Sequence, residues 1–191
     1  SGKIKNKMAR TESNEFELGR KAPDFTLQNT IDDTWVDLQS HKGTNGTVIV
    51  FICNHCPFVI HINEKLVDLA NEYQPKGIAF IAISSNDIEK YPQDAPHLMK
   101  KLGQELQYPF PYLFDETQQI AKLYDAACTP DFYLFDADLK AVYHGQFDDS
   151  RPGNNIPVSG NDLQKAMEHL LHKKPILENQ KPSIGCGIKW K

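Results

Sequence analysis

The chain has 191 residues, of which 40% are hydrophobic and 24% are charged, and its formal net charge is −4. This length and balance favour one globular domain and argue against disorder. The small negative charge excludes the basic surface of a nucleic-acid-binding protein, and the longest apolar runs are too short for a membrane-spanning helix. The chain begins Ser1-Gly2, which is typical of a cleavage scar, and no apolar leader follows, so we expect a cytoplasmic protein.

The predicted organisation is an arm, one domain and a tail. We interpret residues 1–18 as a flexible polar arm, residues 19–175 as the folded domain and residues 176–191 as a C-terminal tail. At the start of the domain, residues 25–27 and 35–38 flank a turn-rich stretch, which predicts an N-terminal β-hairpin extension.

Two buried strands and a helix should form the centre of the domain. Residues 47–52 and 78–83 are continuous runs of apolar, largely β-branched residues, typical of strands covered on both faces. Between them, a helix is predicted from Pro57 to a stop signal at residues 74–77. One apolar stripe defines the buried face of this helix: Val59, Ile62, Leu66, Leu69 and Tyr73.

The second half of the chain again alternates predicted helices and strands, and it contains a tight hairpin. Leu98, Leu102 and Leu106 should form the buried face of a further helix, and a short helix over residues 120–124 should be capped by Asp115 or Thr117. A hairpin over residues 132–147 and a last helix over residues 163–171 follow. Crossover helices require parallel strands and the hairpin requires antiparallel ones, so we predict an α/β fold with a mixed central β-sheet and helices on both faces.

The motif Cys53-Asn54-His55-Cys56 lies between the strongest predicted strand and the first helix. The start of a helix offers unpaired N–H groups and the positive end of the helix dipole, so a thiol there ionises readily. A second thiol two residues later can resolve a mixed disulfide, and a protonated His55 would favour the thiolate. We therefore predict a redox pair in which Cys53, nearer the strand end and more exposed, attacks and Cys56 resolves.

The same two sulfurs allow other interpretations. With His55 or His61 they could form half of a zinc site, or a copper-handling module, although no second close ligand pair accompanies them. They could also be inert buried thiols. A structural disulfide closing so small a loop in a reducing compartment is disfavoured. We expect no cofactor and no bound metal.

Thr129-Pro130 directly precedes the strand that starts the late hairpin. A proline at this place can hold a cis peptide bond and expose the backbone of its neighbour to a bound extended substrate. A trans proline that only begins the strand is equally compatible with an isolated X-Pro pair. The presence of a Cys-x-x-Cys motif in the same chain favours a functional role for Thr129 and Pro130.

Longer strings resemble a known superfamily. The order of elements, the Cys-x-x-Cys position and the Thr-Pro pair resemble the thioredoxin-like superfamily, and residues 19–27 are similar to the opening of its redoxin (AhpC/TSA, peroxiredoxin-like) branch. Residues 53–59, 129–135, 148–153 and 185–190 resemble a bacterial subgroup with a Cys-Asn-His-Cys-Pro motif. The resemblance implies a thioredoxin-like fold with Cys53 and Cys56 as the redox pair and Pro130 as the cis-proline.

The chain departs from two patterns within that superfamily. Thioredoxin has Trp before its first cysteine and Gly-Pro between the two, whereas this chain has Ile52 and Asn54-His55. Typical peroxiredoxins carry Pro and Thr at fixed positions before the peroxidatic cysteine, and these residues are missing at those positions before both Cys53 and Cys56. We therefore predict a thiol–disulfide oxidoreductase. A peroxiredoxin-like thiol peroxidase, with an antioxidant role, is the alternative, and a metal-binding module is the second alternative.

Two further cysteines could take part in redox chemistry. Cys128 lies two residues before Pro130, and Cys186 lies in a tail where flanking glycines allow close approach. We hypothesise that the tail folds back and that Cys186 pairs with Cys128 or with another active-site sulfur as a second dithiol. Alternatively, Cys128 is a small core residue and Cys186 an unattached tail thiol.

The expected partners follow from this chemistry. They are protein or small-molecule disulfides as substrates and a thiol as reductant, with no nucleic acid and no membrane, and the oligomeric state is left open. The turn-rich loop over residues 148–155 either connects two elements or presents Arg151 to an anionic partner. Arg151 could equally pair with Asp148 or Asp149.

Overall fold

The structure, a computed structural model, describes residues 10–176 and 179–191. Its regular elements, apart from two short 3₁₀ turns at Gln74–Lys76 and Pro92–Asp94, are ten strands and five α-helices within those ranges. In chain order they are β1 (Arg10–Glu12), β2 (Thr26–Asn29), β3 (Trp35–Asp37), α1 (Leu38–His41), β4 (Gly46–Phe51), α2 (Pro57–Tyr73), β5 (Ile78–Ser84), α3 (Pro96–Glu105), β6 (Tyr112–Phe114), α4 (Gln119–Leu123), β7 (Cys128–Thr129), β8 (Asp131–Asp136), β9 (Ala141–Gly145), α5 (Asn161–Leu171) and β10 (Ile184–Gly187).

Seven strands form one mixed sheet in the order β3-β2-β6-β5-β4-β8-β9. The central strands β4, β5 and β6 are parallel, because helical crossovers connect them, and the remaining neighbours pair antiparallel. The predicted mixed sheet and both predicted hairpins are confirmed. Among the described residues, no helix is long and apolar enough to cross a membrane.

Helices cover both faces of this sheet, as predicted. All six residues of β4 are buried. Val48 and Val50 pack in one apolar cluster with α2, α3 and α5, whereas Ile49 and Phe51 pack in a second cluster with α1 and α4. This alternation follows from the twofold side-chain period of a strand. The strand that leads into the Cys-x-x-Cys motif is therefore held on both sides.

Helix α2 has the predicted start and the predicted buried stripe. Pro57 occupies its first turn, where the missing N–H of proline costs no hydrogen bond, and the helix runs to Tyr73. The following 3₁₀ turn ends at Gly77, whose φ of +87° favours glycine. In α3 the predicted stripe is displaced by one residue, because Met99 and Gly103 are buried and the three leucines are only half-buried.

A second, three-stranded sheet brings together the two ends of the chain. Its order is β1-β10-β7, with both pairs antiparallel. Strand β7 is the segment directly before Pro130, so this small sheet lies at the Cys-x-x-Cys end of the domain. The sequence analysis predicted none of these three strands.

The described part of the predicted flexible arm is ordered instead. Residues 1–9 lie outside the described residues. From Arg10 onward the chain forms β1, which pairs with β10, and Phe16 is only 6% exposed. Phe16 packs edge-on against Tyr133 and Phe135. The prediction of a flexible arm is therefore wrong for residues 10–18, because one buried aromatic side chain and one strand pair anchor them.

Candidate active site

The Cys-x-x-Cys motif lies at the junction of β4 and α2. Cys53 follows the strand after one residue, and Cys56 is the N-cap of the helix, where its carbonyl accepts the N–H groups of Val59 (3.0 Å) and Ile60 (2.9 Å). Cys56 is 0% exposed and Cys53 is 1% exposed. Both thiols therefore sit under a cover, and the cover comes from two other parts of the chain.

The first part of the cover is the segment at Thr129 and Pro130, whose shared peptide bond is cis. The Sγ atom of Cys53 lies 3.7 Å from Thr129 Oγ1, and the Sγ atom of Cys56 lies 3.4 Å from the Thr129 carbonyl oxygen. The structure thus brings together four residues that the sequence analysis assigned to the site from two distant stretches of the chain.

The second part of the cover is the tail. Strand β10 pairs with β7 so that Cys186 stands opposite Thr129, and the Sγ atoms of Cys186 and Cys56 lie 2.7 Å apart. Cys186 is the third sulfur of the site. It is half-buried, so it is the most exposed of the three.

Cys128 does not join this group. Residues that stand opposite each other in an antiparallel pair point to one face, and neighbours along a strand point to opposite faces. Because Cys186 faces Thr129, the side chain of Cys128 points away, with its Sγ 3.9 Å from the Ser183 carbonyl oxygen and 4.0 Å from that of Pro130. Burial raises the pKa of Cys128. The register of this sheet therefore does not support a disulfide between Cys128 and Cys186.

The three clustered sulfurs, those of Cys53, Cys56 and Cys186, differ in how readily each loses its proton. The hydrogen-bonded contact with Cys186 (Sγ–Sγ 2.7 Å) is the first cause that lowers the pKa of Cys56 below its ordinary value of 9.0, and the neighbouring Cys53 thiol is the second. The hydrogen bond to Cys56 raises the pKa of Cys53, as do its burial and the nearby charge of Asp94. The pKa of Cys186 is raised by its hydrogen bond to Cys56 and by burial. Of the three clustered sulfurs, Cys56 is therefore the one whose ionised form the site favours most.

Cys53 was expected to be the more exposed sulfur, but it is buried, and its pKa is raised. The first cause of the lowered pKa of Cys56 is its contact with the Cys186 sulfur, 2.7 Å away. The neighbour that the tail supplies, rather than nearness to the strand end, therefore distinguishes the two sulfurs. The order in which they attack and resolve stays a prediction.

The two residues between the cysteines hold the loop against a buried carboxylate. Asp94, which is 0% exposed, accepts the backbone N–H of Asn54 (2.9 Å), and its Oδ2 lies 2.7 Å from Nδ1 of His55. The Asn54 side chain accepts a hydrogen bond from the Tyr112 hydroxyl (2.9 Å), and the His55 ring stacks on Tyr91. The sequence analysis did not assign Asp94 to the site, and no local motif marks its role, because its partners in the Cys-x-x-Cys loop lie about 40 residues earlier.

One group of side chains in the described residues could hold a metal ion. The sulfur of Cys53, a ring nitrogen of His55 and a carboxylate oxygen of Asp94 all lie within 4.8 Å of one another. Thiolate, imidazole and carboxylate are ligands that zinc accepts. The Asp94 carboxylate also accepts hydrogen bonds from Asn54 and from the Asn86 side chain (3.0 Å), which orient it without a metal. The metal-binding alternative stays a prediction.

The side chain of Arg151 stabilises the loop that carries it, residues 148–155. Its guanidinium donates to the carbonyl oxygens of Asp148 and Ser150, both at 2.8 Å, and to the Gln146 side chain at 2.6 Å. The Ser150 hydroxyl in turn lies 3.2 Å from Nε2 of His61 on α2. The loop thus closes one side of the cleft at Pro130, and Arg151 serves this closure by binding main-chain and amide oxygens.

Comparisons with solved structures agree with this fold. An uncharacterized conserved protein from Geobacillus kaustophilus is 61% identical over 96% of this chain and 97% of its own, with a TM-score of 0.94. A hypothetical protein from Sinorhizobium meliloti is 43% identical over 95% of this chain and 98% of its own, with a TM-score of 0.92.

More distant structures share the fold alone. A secreted disulfide oxidoreductase from Mycobacterium tuberculosis is 17% identical, with a TM-score of 0.58 over 75% of this chain and 94% of its own.

No curated protein matches the chain. The model of the AhpC/TSA family matches residues 18–144, from the N-terminal hairpin through the Cys-x-x-Cys motif and the cis-proline to β9. The chain therefore has a thioredoxin-like α/β fold and belongs to the AhpC/TSA family of thiol-based redox proteins.

Proposed function

We propose that this protein is a thiol–disulfide oxidoreductase whose redox couple is Cys53 and Cys56. One observation carries the proposal: the Cys56 sulfur sits at the start of α2, 2.7 Å from the Cys186 sulfur and 3.4 Å from the carbonyl oxygen of Thr129, the residue before the cis-proline. A thiolate next to a second thiol can attack a disulfide and then be resolved within the same protein.

The reaction needs two exchange steps. In the first, the attacking thiolate bonds to one sulfur of a substrate disulfide and expels the other substrate sulfur as a thiolate. In the second, the partner cysteine loses its proton and attacks the protein sulfur of this mixed disulfide. The second substrate thiol then leaves, and Cys53 and Cys56 are joined. Two electrons pass to the substrate, and a thiol reductant restores the dithiol.

The order of the two cysteines is part of the proposal. The sequence analysis predicted attack by Cys53, from its position nearer the strand end and its expected exposure. The charge distribution favours Cys56 instead, because the thiolate is the nucleophile and Cys53 holds a proton next to the Asp94 carboxylate. We therefore assign attack to Cys56 and resolution to Cys53.

Insulin reduction by dithiothreitol tests the activity and the order together. Cys53→Ser and Cys56→Ser should each abolish turnover, whereas Cys128→Ser, which changes a buried thiol outside the cluster, should keep it. With Cys186 also replaced by serine, so that the tail sulfur cannot resolve it, the variant that lacks the resolving cysteine should accumulate a mixed disulfide with a small disulfide probe. Accumulation in Cys53→Ser supports attack by Cys56, and accumulation in Cys56→Ser supports the order predicted from the sequence. Wild-type protein that does not accelerate insulin reduction would contradict the proposal.

A thiol peroxidase is the second candidate, and the ionised Cys56 favours it. A thiolate next to two thiols can be oxidised by hydrogen peroxide to a sulfenic acid, with release of water, and then condense with a neighbouring thiol to a disulfide and a second water. Peroxide is smaller than a protein disulfide, so it needs less movement of the tail to reach the buried sulfur of Cys56. Rapid, saturable peroxide consumption that is lost in Cys56→Ser, without insulin reduction, would favour this candidate.

A further inference from the structure

The tail occupies the place where an extended substrate would bind. The residues directly before a cis-proline are the edge that the sequence analysis expected to offer its backbone to a substrate. In the structure this edge is β7, and β10 is added to it as an antiparallel strand, with Cys186 opposite Thr129 and Gly187 opposite Cys128. Addition of a strand to a free edge is a common way to bind an extended peptide.

The tail is anchored on both sides of its cysteine. Strand β10 also pairs with β1, where Cys186 stands opposite Arg10. The Ser183 hydroxyl donates to the Gly145 carbonyl (2.6 Å), and the backbone N–H of Ile188 donates to the Ala127 carbonyl (3.0 Å). These bonds place the Cys186 sulfur beside Cys56 as part of the fold.

The close approach depends on a glycine next to the cysteine. A Cβ atom at position 185 would lie 1.9 Å from the Thr129 carbonyl oxygen, so β10 can lie this near β7 only because residue 185 has no side chain. The flanking glycines, which the sequence analysis interpreted as a means of close approach, bring the third sulfur into reach of the second.

We propose that Cys186 is a third redox-active cysteine that exchanges disulfides with Cys56, so that the tail acts as a built-in substrate. This inference rests on the proposed function, because it starts from the Cys53–Cys56 disulfide. The Cys186 sulfur, as a thiolate, attacks the Cys56 sulfur of that disulfide. A Cys56–Cys186 bond forms, the Cys53–Cys56 bond breaks, and Cys53 leaves as a thiolate that takes up the proton given by Cys186. The protein stays oxidised by two electrons, so this step needs no external oxidant.

The step moves the oxidised bond from a buried pair to a half-buried one. Cys53 and Cys56 are at most 1% exposed, whereas Cys186 lies partly at the surface. An external thiol can therefore reach the sulfur of Cys186 in the Cys56–Cys186 disulfide, and its attack there releases Cys56 as a thiolate and leaves the external sulfur bonded to Cys186. A second external thiol then attacks that external sulfur, which frees Cys186 and releases the oxidised external disulfide. The tail cysteine is thus the entry point for electrons from the reductant.

Disulfide mapping after mild oxidation tests this inference in the whole protein. Reduced wild type, Cys53→Ser and Cys128→Ser are oxidised with about 0.1 mM oxidised glutathione, alkylated and analysed by peptide mass spectrometry. A thiol held in place has an effective concentration of at least about 1 mM, so in Cys53→Ser the Cys56–Cys186 disulfide should exceed glutathione adducts by about tenfold. Wild type and Cys128→Ser should both contain the Cys56–Cys186 disulfide together with the Cys53–Cys56 disulfide.

The outcomes separate this inference from the proposed function. If Cys53→Ser carries glutathione on Cys56 and a freely alkylated Cys186, the inference is wrong. Insulin reduction by wild type would then still support the proposed function. Conversely, if the Cys56–Cys186 disulfide forms but insulin is not reduced, the third redox cysteine stands and the proposed activity fails. In Cys186→Ser, re-reduction of the oxidised protein by glutathione should slow by at least about tenfold, because the exposed sulfur of the disulfide is lost.

Discussion

Replacement of Gly185 by alanine should uncover the active site without removing a cysteine. The added Cβ atom would lie 1.9 Å from the Thr129 carbonyl oxygen and 2.6 Å from the carbonyl carbon, both of which are backbone atoms that cannot rotate away. The first distance is about 1.5 Å short of ordinary contact at 3.4 Å. Strand β10 must therefore move away from β7.

The size of the effect follows from the cost of that overlap. Overpacking of this kind costs about 1–3 kcal/mol, and if the tail can avoid the cost by leaving β7, the ratio of open to closed protein rises about 5- to 150-fold. The measurement is the rate of alkylation of Cys56 by iodoacetamide, followed by peptide mass spectrometry. It is made at about pH 10, above the ordinary pKa of cysteine, so that exposure of the sulfur controls the rate.

A matched control lies on the same strand. At Gly187 an added Cβ atom would lie 3.0 Å from the Thr11 hydroxyl, which belongs to a side chain that can rotate. Gly187→Ala should therefore react within about twofold of wild type, a free-energy difference of less than about 0.5 kcal/mol. Equal alkylation rates in Gly185→Ala and wild type, with both proteins folded by circular dichroism, would refute the argument that this glycine holds the tail over Cys56.

Three further predictions concern ionisation and the supports of the sheet. The pKa of Cys56 is lowered in the fold, first by its hydrogen-bonded contact with Cys186, so its ionised form stabilises the protein above the ordinary value of 9.0. That contribution is lost as the pH falls through the lowered pKa. Thiolate absorbance should persist well below pH 9.0 and shift upward in Cys186→Ser. Asp115→Ala removes a 1% exposed carboxylate that accepts two backbone N–H groups at the start of α4, and urea unfolding should show a loss of about 1–3 kcal/mol. His144→Ala leaves the carboxylate of Asp131, 0% exposed and 2.9 Å from the ring, without its partner, at a cost of about 3–5 kcal/mol in the same assay, whereas an additional Asp131→Asn change should recover part of that loss.

The central sheet and its helices were predictable because their signals are local and periodic. Strand β4 is a run of apolar residues with two buried faces, and α2 repeats its apolar residues at helical spacing over four turns. The short helix α4 also follows a local rule, because the carboxylate of Asp115 accepts the N–H groups at its start, one of the two caps expected. In each case residues close in sequence make the interactions that decide the structure.

The ionisation of the site could not be predicted in the same way. The sequence places both cysteines at a helix start, but the sulfur that carries the charge depends on which donors surround it. Two of the influences, the S–H group of Cys186 and the charge of Asp94, come from residues far from the motif along the chain. Without the contact to Cys186, only the helix-dipole argument remains, and it applies to both sulfurs. The sequence analysis chose Cys53 as the attacking sulfur because it expected Cys53 to be exposed, and the tail removes that exposure.

The register of the small sheet is the feature on which the three-sulfur site depends. A strand that slips by one residue turns every side chain to the opposite face. Here such a slip would place a glycine opposite Thr129 and turn the Cys186 sulfur away from Cys56, toward the side where Cys128 lies. The pairing of Cys186 with Arg10 on one edge and with Thr129 on the other opposes that slip. These strands have only two to four residues, and β10 has glycine at alternate positions, so local β-propensity specifies them weakly. Their register is set by tertiary contacts, and a sequence pattern therefore cannot show that the tail cysteine meets the helix N-cap.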